Sequence, residues 1–183
     1  MNRIVLLNIH MLLAAFMFPV ALMFLITGGL YTWGIKGSYS TDVYVVAVTE
    51  PLAEAELEGL VTAELQRIDV ALPEGSPKLK NVGTSYMLEW TGSSRDVVFE
   101  PTADPLSYQL SVKETSWYRT FVQLHKAKGG VLFKVYAASL AVALFIILGS
   151  GLWLALQIPR FRRLTLGVFA LGSLSFALMV TFS

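Results

Sequence analysis

The stretch "VQLHKAKGGVLFKVY", residues 122–136, marks the point where the chain changes from a mixed polar sequence to a long apolar one. Its first half carries one histidine, two lysines and two glycines, and its second half opens an apolar run that ends near Ile158. A helix rises ~1.5 Å per residue, so this run is long enough to cross ~30 Å of hydrocarbon. The pattern predicts a transmembrane helix over residues 131–158.

Two further apolar blocks lie at the ends of the chain. The first runs from Ile4 to Trp33, giving a predicted helix over residues 1–33, and the last covers residues 164–182. Hydrophobic residues make up 55 % of the 183, and the mean hydropathy is +0.60, which is too apolar for an ordinary soluble domain. All 13 acidic residues lie between the first two blocks. This segregation predicts a membrane protein with three transmembrane helices and one water-exposed domain.

A cleaved signal peptide is the alternative interpretation of the first block, because Arg3 precedes the apolar run. The run is about twice as long as an ordinary signal-peptide core, and no A-x-A site follows it. These two features favour an uncleaved anchor.

Basic residues at the ends of the spans predict the orientation. Arg3 and the arginines of the turn "PRFRR", residues 159–163, are expected to be cytoplasmic. Residues 34–130 would then be periplasmic, with the protein in the bacterial inner membrane. A long translocated segment carries its charges across, so this prediction tolerates four lysines on the outer side: Lys36, Lys126, Lys128 and Lys134.

The segment between spans one and two has the pattern of an α+β module over residues 34–114. The alternation in "TDVYVVAVTE", residues 41–50, predicts a strand with Val46 on one face and Val45 on the other. A helix is expected to follow, opening at Glu50 and Pro51, with an apolar stripe of Leu57, Leu60, Val61, Leu65 and Ile68. Three short strands are predicted after it: Thr84–Trp90, Asp96–Glu100 and Leu106–Val112. We expect antiparallel strands with the helix on one sheet face, followed by an interfacial helix over residues 115–130.

The exposed domain contains no motif that predicts catalysis. Its helix carries four glutamates, which we interpret as a solvated face because no histidine is near and carboxylates two residues apart do not face each other. The chain has no cysteine, which excludes disulfides, thiolate metal sites and covalent haem attachment. No basic run interleaved with aromatic residues points to nucleic acid. We therefore expect no catalytic site of its own.

The two histidines are the residues with most potential for chemistry. His10 is expected one or two turns inside the cytoplasmic end of span one, and His125 just before span two on the outer side. From His10 to Trp33 is ~35 Å of helix, so both cannot bind the same metal within one chain. His10 is either a neutral interfacial residue bonded to a backbone carbonyl, or a haem or metal ligand. The same alternatives stand for His125.

Several short motifs occur in an order that suggests a family. They are His10 at the start of the first helix, Thr27-Gly28 at its end, Leu124-His125 before the next helix, and Ser150-Gly151 with Trp153 at that helix's end. In this order and spacing, the chain resembles the PepSY-associated transmembrane family over nearly its whole length.

The resemblance implies a periplasmic PepSY-like module and a link to iron uptake. Larger members with repeated helix pairs are associated with reductive release of iron from siderophores, through haem b held between histidines. This chain has one helix pair plus a third helix, and one histidine per membrane side. A bis-histidine haem would need a second copy or a partner, for instance His10 facing His10 in a dimer, or Met11 or Met17 as the second ligand. Close helix packing is expected at small residues: Gly28, Gly149, Gly151, Ser173 and Ala177.

Two functions follow from these patterns. The first is a non-catalytic accessory or interaction protein of the inner membrane, a subunit of a larger membrane system that contacts lipid and another membrane protein or a second copy. The alternative is a haem b-binding electron-transfer subunit in ferric-siderophore reduction, with His10 and His125 as ligands. A transporter has little support, because the spans contain no buried acid or paired charge.

Overall fold

The computed structural model describes residues 3–50, 52–83 and 85–182. The predicted helix opening at Pro51 and strand start at Thr84 lie outside these residues. In chain order, the described elements are α1 (Arg3–Thr32), β1 (Tyr39–Ala47), α2 (Glu54–Arg67), β2 (Pro77–Val82), β3 (Ser85–Thr91), β4 (Arg95–Pro101), β5 (Ser107–Thr115), α3 (Trp117–His125), α4 (Val131–Leu156) and α5 (Pro159–Phe182). Contacts divide the chain into two units, one of Met1–Ala21 with Ala138–Ser183 and one of Leu22–Ala137.

Three helices are long and apolar enough to cross a membrane, namely α1, α4 and α5, with 30, 26 and 24 residues. The predicted long apolar helices are confirmed. The predicted turn over residues 159–163 is wrong, because these residues are helical. Helix α5 begins at Pro159, so "PRFRR" forms its first turns, and Arg162 N–H donates to the Ile158 carbonyl. Proline suits the first helical position because its missing N–H would have no intrahelical partner there.

The five strands form one antiparallel sheet in the order β1-β5-β4-β3-β2. Helix α2 covers one face of it, as predicted. Leu57, Val61 and Leu65 are fully buried at four-residue spacing, and Leu60 and Ile68 pack beside them, which confirms the apolar stripe. From the sheet, the core takes alternate residues: Val46, Leu88, Trp90, Val97, Phe99, Tyr108, Leu110 and Val112.

Helix α2 begins at Glu54, later than the predicted Glu50. The Glu56 carboxylate accepts a hydrogen bond from the Ala53 N–H at 3.0 Å. This bond satisfies one of the backbone N–H groups that have no intrahelical partner at the start of a helix. Glu54 and Glu58 are exposed, and Glu64 pairs with Arg67 at 2.8 Å. These positions agree with a solvated acidic face.

Strand β2, "PKLKNV", was not predicted. It lies at the sheet edge, exposed from Lys78 to Val82, so neither of its faces carries an apolar alternation. Pro77 and the two lysines are residues that protect an edge strand from pairing with other chains. Lys80 also pairs with Glu89 on β3 at 2.6 Å.

Helix α3 covers Trp117–His125, a shorter stretch than the predicted 115–130. The Ser116 hydroxyl caps its first turn by accepting from the Arg119 N–H. At the other end Ala127 takes a left-handed φ of 56°, while Ala127 N–H bonds the Leu124 carbonyl and Lys128 N–H bonds the Gln123 carbonyl. This pair of bonds is a Schellman motif, and it ends the helix inside "HKAKGG".

Candidate functional site

The His125 ring packs against the last turns of α1, within the unit Leu22–Ala137. Its Nδ1 lies 2.8 Å from the Thr27 Oγ1, and its ring centroid is 4.8 Å from that of Phe24. The next residue, Gly28, lies under the ring: a Cβ added there would be 3.1 Å from His125 Cε1. Glycine at this position therefore lets the imidazole lie directly on the helix.

The hydrogen bonds at Thr27 assign the proton of the neutral His125 ring to Nδ1. The Thr27 hydroxyl donates to the Met23 carbonyl at 2.6 Å, so its oxygen is left to accept from His125 Nδ1–H. In the neutral imidazole the lone pair is then on Nε2. No hydrogen-bond partner of Nε2 is found in the described part of the chain.

His10 has the same arrangement in the other unit. Its Nδ1 lies 2.9 Å from Ser150 Oγ, and that hydroxyl donates to the Ile147 carbonyl at 3.1 Å. A Cβ on Gly151 would be 3.3 Å from His10 Cε1. Each unit therefore holds a histidine, a hydroxyl that orients it and a glycine that makes room for it. Within residues 3–50, 52–83 and 85–182, His10 Nε2 also has no hydrogen-bond partner.

The structure brings together motif positions that the sequence analysis named separately. His10 bonds a serine hydroxyl instead of the expected backbone carbonyl, and the Thr27 bond to His125 was not foreseen. The sequence contains two histidines and two motif pairs of a hydroxyl residue followed by glycine, Thr27-Gly28 and Ser150-Gly151. This match in number could have indicated that each histidine contacts one such pair.

Among the expected packing residues, Gly28 and Gly151 contact the histidine rings. A Cβ on Gly149 would have no atom within 4 Å, while Ser173 and Ala177 are exposed on α5.

A cavity of about 280 Å³ adjoins His125 in the same unit. It is lined by Thr27, Gly28, Tyr31, Val122, His125 and Lys126. We call it the Tyr31 pocket. Two lysines have their Nζ atoms near the Tyr31 ring centroid, at 5.1 Å for Lys36 and 6.0 Å for Lys126. Lys126 lines the pocket, whereas Lys36 lies beside the ring and is not a lining residue.

A buried polar cluster around Asp96 connects α3 to the sheet. Asp96 is only 7 % exposed and accepts from four groups: the Tyr39 hydroxyl at 2.9 Å, Gln123 Nε2 at 2.9 Å, Lys128 Nζ at 3.2 Å and the Gly92 N–H at 3.3 Å. Arg119 donates to the Tyr39 hydroxyl at 2.9 Å and lies over its ring. Burial raises the pKa of Tyr39 above its ordinary value; Arg119 lowers this pKa, and Asp96 raises it. This Asp96 cluster positions the helix that ends at His125.

No group of three or more histidine, aspartate or glutamate side chains that could hold a metal ion is found in the described ranges. Comparison of the chain with protein-family models, curated proteins and solved structures finds no match. The resemblance to the PepSY-associated family therefore stays an interpretation of the motifs.

Proposed function

We propose that this chain is an accessory subunit of a larger assembly in the bacterial inner membrane, with a PepSY-like module on the periplasmic side. The observation that carries this proposal is the exposure of α5. None of residues 159–182 is buried, although the helix is long and apolar enough to span a membrane. Most of its surface is therefore available to lipid and to another protein.

The other two long helices are also little covered by their own chain. The buried residues of α4 are Leu140, Ala143 and Ser150, and most of its large side chains are exposed. Ser173 and Ala177 lie one turn apart on α5, and small residues at this spacing let two helix backbones approach closely. Lipid covers apolar surface without distinguishing faces, whereas a partner helix selects a face with small residues.

Because the chain has no cysteine, single introduced thiols can test this face. We would compare Ser173→Cys with Ser175→Cys by oxidative cross-linking in native membranes. Both changes replace a serine on α5, but residue 175 is about 200° further round the helix. If the small-residue face binds a partner, S173C is expected to give a cross-linked product and S175C is not.

The size of the product identifies the partner class, since a second copy doubles the mass and another protein gives a different increment. Equal labelling of both thiols by a lipid-soluble probe, with no cross-linked product from either, would refute a partner on this face.

A second candidate function, a haem b electron-transfer subunit, is favoured by the two oriented histidines. Each has Nδ1 held by a hydroxyl and Nε2 without a protein partner in the described ranges, which is the arrangement of an imidazole that binds iron through Nε2. The donor chemistry therefore fits haem. When bound, haem would supply one-electron transfer, as ferric-siderophore reduction requires.

Each unit offers one such imidazole, so a second iron ligand would have to come from a partner, a second copy or a methionine. Met17 is buried, at 7 % exposure, whereas Met11 is 52 % exposed and open to an incoming group. A chain that supplies only one of two iron ligands would need another protein chain to complete the site, which agrees with the role of a subunit in a larger assembly.

Optical spectra of the purified chain, oxidised and dithionite-reduced, test this candidate. Cells supplied with haem should yield a Soret band and sharp reduced α and β bands that are lost in His10→Ala or His125→Ala. Ser150→Ala and Thr27→Ala remove only the Nδ1 partner, so they should retain the bands but shift the midpoint potential. A featureless spectrum from the native membrane complex would refute haem binding.

A further inference from the structure

We propose that the Tyr31 pocket binds the phosphate headgroup of an anionic phospholipid. The inference rests on the membrane anchoring proposed above and does not depend on haem. It concerns Lys36 and Lys126, which have no role in the proposed functions.

The pocket combines an apolar floor with a cationic rim. Gly28, Val122 and the Tyr31 ring provide the apolar part, and Lys126 and His125 provide the polar part. Its volume of about 280 Å³ is just below the range of ligand sites, which commonly span about 300–1,000 Å³, so it suits a small ligand. A headgroup with its first glycerol carbons is a small amphipathic ligand of this kind.

Two lysines near the Tyr31 ring, Lys126 in the pocket lining and Lys36 beside the ring, have no counter-charge among the described residues. Lys36 and Lys126 both lie near the Tyr31 ring, and no carboxylate in the described ranges is within salt-bridge distance of either. Four cations of the same unit have acidic partners, namely Arg67 with Glu64, Lys80 with Glu89, Arg95 with Glu114 and Lys128 with Asp96. Lys36 and Lys126 differ from the other unpaired cations, such as Lys78 on β2, in lying together beside the Tyr31 ring. An anion bound in the pocket would supply the negative charge that these two lysines lack.

The backbone that carries Lys36 is held in place. Gly34 and Gly37 have φ of 78° and 73°, a left-handed conformation that turns the chain after α1 and that glycine adopts without strain. Arg119 Nη1 donates to the Lys36 carbonyl at 3.0 Å. A Cβ on Gly37 would come 2.9 Å from the Arg119 backbone nitrogen, so only glycine allows this approach. These contacts fix the backbone of residues 34–37, which places the Lys36 side chain beside Tyr31 at the end of α1.

Net charge is the property by which such a rim would select a lipid. A phosphatidylglycerol headgroup brings one negative charge, whereas phosphatidylcholine brings its own cation, which the lysines repel. Lys36 and Lys126 are also among the lysines that the orientation places on the outer side, where the positive-inside rule gives no reason for them. A lipid phosphate would neutralise them there.

The test uses the full-length chain in a neutral detergent, titrated with phosphatidylglycerol or phosphatidylcholine and followed by native mass spectrometry. The variants are Lys36→Gln with Lys126→Gln, the charge-preserving Lys36→Arg with Lys126→Arg, and Lys78→Gln as the control. Lys78 is an exposed lysine on β2 with no salt bridge, so it matches the charge change away from the pocket.

We expect phosphatidylglycerol to bind more tightly than phosphatidylcholine and to lose about fivefold in affinity per lysine replaced by glutamine, equal to roughly 1 kcal/mol each. The arginine pair and K78Q should bind like the unchanged chain.

Equal retention of both lipids, or an unchanged affinity in the double glutamine variant, would overturn the proposal. Inorganic phosphate that binds as tightly as the lipid would overturn the lipid assignment in favour of a free-anion site. The lysine variants leave His10, His125 and α5 intact, so failure here is separate from failure of the cross-linking or optical tests.

Discussion

At the scale of single residues, the main feature is that both histidines are oriented by hydroxyls that already donate to their own helix. Thr27 donates to the Met23 carbonyl and Ser150 to the Ile147 carbonyl, which assigns Nδ1–H of each histidine as the donor to the hydroxyl oxygen. The neutral ring then presents Nε2 as the nitrogen with a lone pair. The two glycines that follow the hydroxyls allow this contact by lacking a side chain.

The glycine contacts give a prediction with a control beside each residue. In Gly28→Ala and Gly151→Ala the new Cβ would crowd the histidine ring, at 3.1 and 3.3 Å from Cε1, whereas Gly29→Ala and Gly149→Ala meet no atom within 4 Å. An alanine in a helix gains up to about 1 kcal/mol over glycine. We expect G29A and G149A to raise the thermal midpoint in detergent, and G28A and G151A to lose this gain. Nitrogen NMR should show a weakened Nδ1 hydrogen bond only in G28A and G151A; equal stabilisation of all four would contradict the contact.

Asp96 provides a second prediction at this scale. Asp96→Ala leaves Gln123, Lys128 and the Tyr39 hydroxyl without their acceptor in a buried site. Loss of one partner of a buried charged network costs about 3 kcal/mol. Asp42→Ala, at an exposed position on β1, should cost less than about 0.5 kcal/mol. Chemical unfolding of the full chain in detergent measures both, and similar losses for the two variants would show that the Asp96 cluster contributes little.

At the scale of elements, α3 is held by local signals at both ends and by the Asp96 cluster on its face. The Ser116 hydroxyl accepts from the Arg119 N–H and from the Ser38 N–H, so one side chain caps the helix and holds the preceding segment. The C-terminal end has an alanine where glycine is usual. This helix therefore carries a local strain that a substitution can remove.

The left-handed residue gives the prediction for this element. Ala127→Gly should stabilise the protein by about 1 kcal/mol, because L-residues pay roughly this amount for positive φ. Ala63→Gly, at an exposed position inside α2, should destabilise it by about 1 kcal/mol. Opposite signs in thermal unfolding are the expected result; a loss of stability in A127G would show that residue 127 is not left-handed in solution.

The turn between β3 and β4 predicts a dependence on acid. Glu74 accepts from the Ser93 N–H at 2.9 Å and from the Ser94 hydroxyl at 2.7 Å. Burial acts to raise the pKa of this carboxyl, but the hydrogen bonds from Ser94 and from backbone N–H groups lower the pKa on balance below its ordinary value of 4.5. The folded pKa is below the unfolded one, so the stabilisation is present above pH 4.5 and is lost as pH falls through the folded pKa.

Urea unfolding between pH 3 and 6 checks this effect. Glu74→Gln should show a shallower fall in stability on acidification than the unchanged chain. Glu58→Gln, an exposed glutamate on α2, should retain the full fall. The same slope in both variants would exclude Glu74 as its source.

At the scale of the whole molecule, charge and apolar surface are segregated along the chain. The acidic residues lie in the sheet-containing part, and the three long apolar helices contain none. The proposed orientation predicts that Glu58→Cys is labelled in intact cells by a membrane-impermeant maleimide after the outer membrane is made permeable. Gln157→Cys, at the end of α4, should be labelled only after lysis. The reverse pattern would show that the sheet domain is cytoplasmic.

The local pattern of apolar residues was enough to predict the elements whose structure depends mainly on nearby residues in the sequence. Helix α2 and strand β1 follow from repeats of 3.6 and 2 residues, and the three long helices follow from continuous apolar runs. The same reasoning failed for β2, because its residues 78–82 are all exposed and so carry no apolar alternation, whereas β1 at the other sheet edge buries Val46.

Only the tertiary structure decided the partners of the polar residues. His10 and Ser150 are 140 residues apart, His125 and Thr27 are 98 apart, and Asp96 meets Tyr39 across 57. Apolar periodicity indicates which face of an element is buried, but it does not identify the donor that meets a given acceptor. That pairing depends on how distant elements pack, which is why the sequence named the histidines and the structure supplied their hydroxyls.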